Sequence, residues 1–241
     1  MKILLIDTET NGLPVNRYAP PSEWAGFPAL IQISWLIYSP DLESRCLGQP
    51  LARRDITVRL PPGTPWNTEA AAIHGMSQEA VLNGLPITVA LMELYEVMRS
   101  VDCICAHNLA FDRSVIRAAG YAAADRGGPR ELRGIWPRGL IELCTMNVTR
   151  DLMRLTPGPD GTRWKAPRLG ELYAWLYGHR YDISGAVLHS ARSDVHCLAQ
   201  CLSGLLRRDY LRFDRSTGWV SGLPLAPDNV VSSGVAQVHP S

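Results

Sequence analysis

Near its start the chain carries the run Ile3-Leu4-Leu5-Ile6, which stops abruptly in Asp7-Thr8-Glu9-Thr10-Asn11-Gly12. So dense a run of Ile and Leu reads as a buried strand, and the Asn-Gly pair after it as a turn. Asp7 and Glu9 are two apart, so on extended backbone both side chains leave from one face. Two carboxylates that close repel each other unless a cation sits between them. The strand therefore ends either at a metal site or simply where it meets solvent. A D-x-E pattern alone does not separate the two.

At 241 residues the chain is long enough for one domain with a real core. No apolar run has membrane-spanning length, and the first strand leads straight into carboxylates, unlike a signal peptide. The six cysteines form no C-x-x-C pair and several lie in apolar stretches, so reduced core thiols are expected. That suits a cytoplasmic or other intracellular protein, not a secreted one. The formal net charge of +1 speaks against a protein that coats nucleic acid broadly, and leaves room for a local basic cleft. Lys2 and Lys165 are the only lysines. Arginine is the better bidentate phosphate ligand, although a GC-rich genome would produce the same bias.

Residues 13–28 are Pro- and Gly-rich and read as a long loop. Residues 29–38 read as a strand with Ile31, Ile33 and Trp35 on one face, and 56–60 as a third, more exposed one. Three consecutive strands suggest an antiparallel meander. Helices follow: one over 67–73 capped by Asn67, one capped by Ser77, and a longer one capped by Thr88 with Leu91, Leu94, Tyr95 and Met98 on one stripe. Residues 101–106 read as a buried strand, 110–120 as a helix closed by Gly120, and 122–138 as a loop. A last strand over 140–144 precedes helices over 145–155 and 168–177. Ala191, Val195, Leu198, Leu202 and Leu205 follow the spacing of an amphipathic helix over 191–208. From about residue 216 the chain becomes Gly-, Pro-, Ser- and Val-rich, an extended or disordered tail.

Two further carboxylates stand where a metal site could use them. Asp112 follows the 101–106 strand in the first turn of a helix, at the edge of the sheet, or else merely answers the helix dipole. Asp194 lies near the start of the last helix, one residue before Val195, and an acid so near the core face needs a partner. His189 precedes it by five residues at the junction into that helix.

Taken in order, Asp7-x-Glu9, His107-Asn108-x-x-Phe111-Asp112 and His189-x-Ala191-x-x-Asp194 resemble the three motifs of the DnaQ-like 3′→5′ exonucleases, in the subgroup whose third motif carries histidine (DEDDh). Ile73-His74-Gly75-Met76, Leu143-Cys144-Thr145-Met146 and Arg168-Leu169-x-x-Leu172 are similar to other segments of the family. The resemblance covers about residues 2 to 210. It implies a ribonuclease-H-like α/β fold, a mixed five-stranded sheet flanked by helices. The exonuclease domain would occupy residues 1–212, with 213–241 as the tail.

The resemblance also implies two divalent cations, Mg²⁺ or Mn²⁺, in a two-metal hydrolysis of phosphodiesters. Asp7, Glu9 and Asp194 would hold one cation, Asp7 and Asp112 the other. His189 would be the general base toward the attacking water. Backbone at Thr8 and Thr10 would meet the terminal nucleotide, Leu13 would wedge against its base, and His74 and Phe111 would line the pocket. Leu13 and Phe111 equally suit plain core positions, and Asn108 suits a helix cap as well as a substrate contact. The partner would be a nucleic-acid 3′ end, single-stranded or mismatched DNA first and RNA as the alternative. A polymerase or repair partner and a homodimer are both compatible with the family, and no membrane is implied. A non-catalytic nucleic-acid-binding module on the same fold is the competing class. Arg126, Arg130, Arg133 and Arg138 form an arginine-rich stretch that suits either a strand backbone or a solvated loop.

Overall fold

A computed structural model describes residues 1–41, 43–158, 161, 163–179, 190–214 and 218–221. His189 and the tail beyond residue 221 lie outside the described residues. Strands β1 (Ile3–Thr10), β2 (Leu30–Tyr38) and β3 (Ala52–Thr57) pair antiparallel, the meander expected from sequence. Strands β4 (Cys103–Ala106) and β5 (Ile141–Cys144) add in parallel on the other side of β1. The order β3-β2-β1-β4-β5 places the opening run of the chain at the centre of a mixed five-stranded sheet. β1 and β4 stay paired only from Ile3↔Cys103 to Leu5↔Cys105. Beyond that the β1–β4 ladder ends, and β1 runs on through Asp7 and Glu9 paired with β2.

Helices cover both faces. Helices α1 (Thr68–His74), α2 (Gln78–Leu82) and α3 (Ile87–Arg99) precede β4, and α4 (Leu109–Asp125) follows it. Helices α5 (Thr145–Met153), α6 (Leu169–Tyr177) and α7 (Ala191–Arg207) follow β5. Leu4, Ile6, Ile33, Trp35 and Ile104 pack against α3 and α4. Ile3, Leu5, Leu36 and Cys105 pack against α6 and α7 on the opposite face. The period-2 alternation of β1 thus divides its residues between two cores. The five apolar positions from Ala191 to Leu205 that predicted α7 are all buried.

The structure departs from the sequence reading at several boundaries. The third strand is Ala52–Thr57 and not 56–60, because an edge strand needs only its backbone ladder and accepts the exposed Arg53, Arg54 and Asp55. Thr88 does not cap α3, which begins at Ile87 behind Pro86. The stretch 122–138 is not wholly loop, since α4 runs on to Asp125 and a 3-10 turn occupies Arg130–Gly134. Gly120 therefore does not stop α4. It is the point where the 3-10 turn presses against the helix, and a Cβ there would sit 2.3 Å from the Leu132 carbonyl oxygen. Within the tail, Gly218–Ser221 (β7) pairs antiparallel with Leu211–Asp214 (β6). Four of the six cysteines, Cys103, Cys105, Cys197 and Cys201, are buried free thiols, and Cys46 is exposed.

Gly120→Ala should be destabilised by roughly 1–3 kcal/mol from backbone overpacking, read as a lower urea midpoint at unchanged m-value.

Candidate metal centre

Asp7 and Glu9 continue the Ile3 and Leu5 side of β1, so they point toward α7. Thr8 and Thr10 continue the Leu4 and Ile6 side and point toward α4. Across the ladder Ser34 stands opposite Asp7, and Gln32 opposite Glu9. The ladder then shifts register between Glu9 and Thr10. Thr10 Oγ1 donates to the Gly12 carbonyl at 2.7 Å, which turns the chain away from the sheet.

Asp194 arrives from above. The Ser190 hydroxyl caps α7 by accepting from the Ser193 amide at 3.2 Å. The Ala191 amide donates to Gln32 Oε1 at 3.0 Å, tying the first turn of α7 to β2. Gln32 Nε2 in turn donates to Asp55 on β3 at 2.9 Å, and the Ser34 hydroxyl donates to the same carboxylate oxygen. Asp194 is thereby set down over Asp7 and Glu9. One carboxylate oxygen from each of the three acids lies within 4.8 Å of the others.

Asp112 comes from the other side. Asn108 takes a left-handed conformation (φ 74°), which Asn tolerates, and α4 begins immediately after it. Its side chain makes no capping hydrogen bond, so the cap reading of Asn108 is corrected to a backbone corner. Asp112, one turn in, is only 3% exposed, and its Oδ1 accepts from the Thr8 hydroxyl at 2.8 Å. Before it, His107 bridges Thr145 Oγ1 and the Pro167 carbonyl, each at 2.9 Å, which explains this motif residue as a strut between β4, α5 and α6.

The electrostatics follow from this crowding. Burial raises the Asp7 carboxyl well above the ordinary carboxylate range, and the charges of Asp112, Asp194 and Glu9 push it further. Burial, then Asp194 and Asp112, lift Glu9 to about 8. Burial lifts Asp112 to about 7, against the opposing pull of the Thr8 hydroxyl and nearby amides. The protein thus crowds its carboxyl groups together at the end of β1.

A divalent cation fits this donor set. Every donor is a hard carboxylate oxygen, which favours Mg²⁺ or Mn²⁺ over zinc. The three ligand oxygens lie within 4.8 Å of one another, close enough to share one cation. Asp112 stands outside the trio and reaches it through Thr8 and through its charge on Asp7 and Glu9.

The remaining sequence candidates are placed as follows. Leu13 is 81% exposed, so its alternative as a core residue is corrected. Phe111 is half-buried against the α3 and α4 core. His74 is buried; its Nδ1 accepts from the Met76 amide at 3.1 Å, its ring meets Trp66 edge-on, and its Nε2 has no partner among the described residues. Arg133 is paired with Asp125 at 2.6 Å and Arg126 stacks on Trp24. The residue that sequence reasoning missed is Gln32. Its signal was present: Gln32 and Ser34 are the two polar residues, two apart, inside an otherwise apolar strand.

Neither a protein-family model nor a curated protein sequence matches the chain. Among solved structures it is similar to E. coli Exonuclease I in complex with a dT13 oligonucleotide (17% identity over 86% of this chain and 41% of that one, TM-score 0.60). It is similar also to a moderately thermophilic Exonuclease I from Methylocaldum szegediense (20% identity, 86% and 40%, TM-score 0.59). The zinc-ion-bound form of the E. coli ExoI–ssDNA complex matches at 17% identity (86% and 41%, TM-score 0.60). The likeness shows that this chain shares the fold of these solved structures. The chain spans about two-fifths of the length of these proteins.

Glu9 and Asp112 bind protons more readily folded than unfolded, so their contribution is fully present below their ordinary values and is lost as pH rises toward 7 and 8. In EDTA the thermal midpoint should therefore fall between about pH 5 and pH 8, and Mg²⁺ should flatten the decline. Asp7→Asn should raise the metal-free midpoint at pH 7.5. A flat profile in EDTA would show that the carboxylates are not crowded in solution.

Proposed function

We propose that this chain is a metal-dependent 3′→5′ exonuclease of the DnaQ-like DEDDh group. It would release nucleoside 5′-monophosphates from single-stranded DNA ends. The observation that carries the reading is the convergence of Asp7, Glu9 and Asp194 into one donor set with buried Asp112 beside it. A non-catalytic module would have no use for so costly an arrangement. The oligonucleotide complexes of the similar structures support a single strand as substrate.

Asp7, Glu9 and Asp194 would hold one divalent cation and Asp7 and Asp112 a second, leaving Asp7 common to both. Such a pair supplies positive charge to the attacking and leaving oxygens of the phosphodiester. The chain's own part is to orient and to move protons. Thr8 spends its hydroxyl on Asp112 Oδ1 and so fixes which oxygen faces the site. Its backbone and that of Thr10 border the terminal nucleotide, Leu13 projects to wedge its base, and His74 and Phe111 line the pocket. Asn108 bends the backbone beneath it. His189, five residues before Asp194 in sequence, takes the proton of the attacking water, a task suited to a near-neutral imidazole.

Labelled single-stranded, duplex and mismatched oligonucleotides, with matched RNA, test this reading. Mg²⁺ or Mn²⁺ should support a 3′→5′ ladder on single-stranded DNA, and EDTA or Asp7→Asn should abolish it. His189→Ala should slow cleavage by roughly 10²–10⁴-fold with strand binding retained. Activity persisting in Asp7→Asn sinks the metal assignment. Faster trimming of RNA overturns the DNA preference.

A further inference from the structure

A cavity of about 230 Å³ lies between the second half of α4 and the loop that joins β1 to β2. The α4 side is made of Ala118, Ala119, Ala122 and Ala123, and Trp24 and Phe27 stand on the loop side. Trp24 is locked in place: its Nε1 donates to Asp125 at 2.8 Å, and the Arg126 guanidinium lies 4.8 Å from its ring centroid. Asp125 is itself neutralised by Arg133. Two arginines line the cavity. Arg59 spends only its Nε, on the Gly84 carbonyl at 3.2 Å, and Arg126 stacks on Trp24. Neither is ion-paired to a carboxylate among the described residues.

An apolar hollow, an immobilised indole and two guanidinium groups with donors to spare suit a flat apolar body that carries an anion. Size narrows the choice. A cavity of about 150 Å³ takes a benzene ring, so this one takes a single nucleobase and leaves sugar and phosphate outside. The outside group would meet Arg59 and Arg126, and because it stays outside, the strand can continue in both directions. Along α4 the distance from Asp112 to the stretch from Ala118 to Arg126 is about 9–21 Å. A base seated between Trp24 and Arg126, at the far end, does not belong to the nucleotide being hydrolysed.

We propose that this cavity binds one unpaired base of the substrate strand, upstream of its 3′ end, with the adjoining phosphate held by Arg59 and Arg126. The proposal rests on the exonuclease reading above. It differs from that reading in claiming a second, non-catalytic contact that makes affinity depend on strand length.

The test uses the full chain and 5′-labelled oligothymidylates of graded length whose terminal phosphodiester is phosphorothioate-protected. Binding is read by fluorescence anisotropy, and hydrolysis separately with the p-nitrophenyl ester of thymidine 5′-monophosphate. Wild-type affinity should step up by roughly tenfold once the strand is long enough to reach the cavity. Ala122→Phe should remove the step by filling the hollow. The double variant Arg59→Ala, Arg126→Ala should shrink it and reduce the salt slope by about one per lost phosphate contact. Ester hydrolysis should be unchanged in all of these and lost in Asp7→Asn. A step that survives both variants overturns the proposal, as does saturation of the cavity by an acidic peptide that the strand fails to displace. Should Ala122→Phe disturb folding, the two exposed arginines carry the same length test. If the wild type cleaves neither ester nor strand, the exonuclease reading fails, and the length step still decides the cavity on its own.

Discussion

The mutual repulsion of carboxylates at the end of β1 is the constraint that the rest of the structure answers to. Asp7, Glu9, Asp112 and Asp194 come from three elements far apart in sequence, and left to themselves they would separate. They stay together because each is carried by something whose position is decided elsewhere. β1 is locked between β2 and β4, α7 is buried along its length, and α4 follows directly from β4. Apolar burial on two faces of one sheet overrides the repulsion at its tip.

Much of this was readable in the chain, for reasons that can be named. β1, β2 and α7 follow from periodicity, because burial demands of their residues a strict spacing. The acids were joined by the resemblance of three short motifs to a known family; taken singly, each acid also suited a strand end or a first helical turn. The failures share one cause. Gly120 looks like a helix stop and is instead a site of close approach by Leu132, a contact twelve residues away that no local pattern encodes. Thr88 is a good cap by composition, yet Pro86 already fixes the entry to α3. Asn108 is a good cap by composition too, and is used for its left-handed backbone. Local propensity named the residue correctly and its use wrongly.

The near-neutral balance of the whole chain also gains meaning. Positive charge is largely arginine, and part of it is consumed in surface pairs such as Arg54 with Glu93 and Arg113 with Glu142. Those pairs contribute little to stability. Arg59 and Arg126 have no such partner among the described residues, and both line one cavity with Trp24 and Phe27. Net charge conceals this, because it sums over groups that are already satisfied.

Gln32 grips two elements with one amide. Its oxygen holds the start of α7, and its nitrogen holds Asp55 on the outermost strand. The edge of the sheet and the loading of Asp194 are therefore one side chain apart. The least conspicuous polar residue of β2 thus joins the rim of the sheet to the helix that carries Asp194.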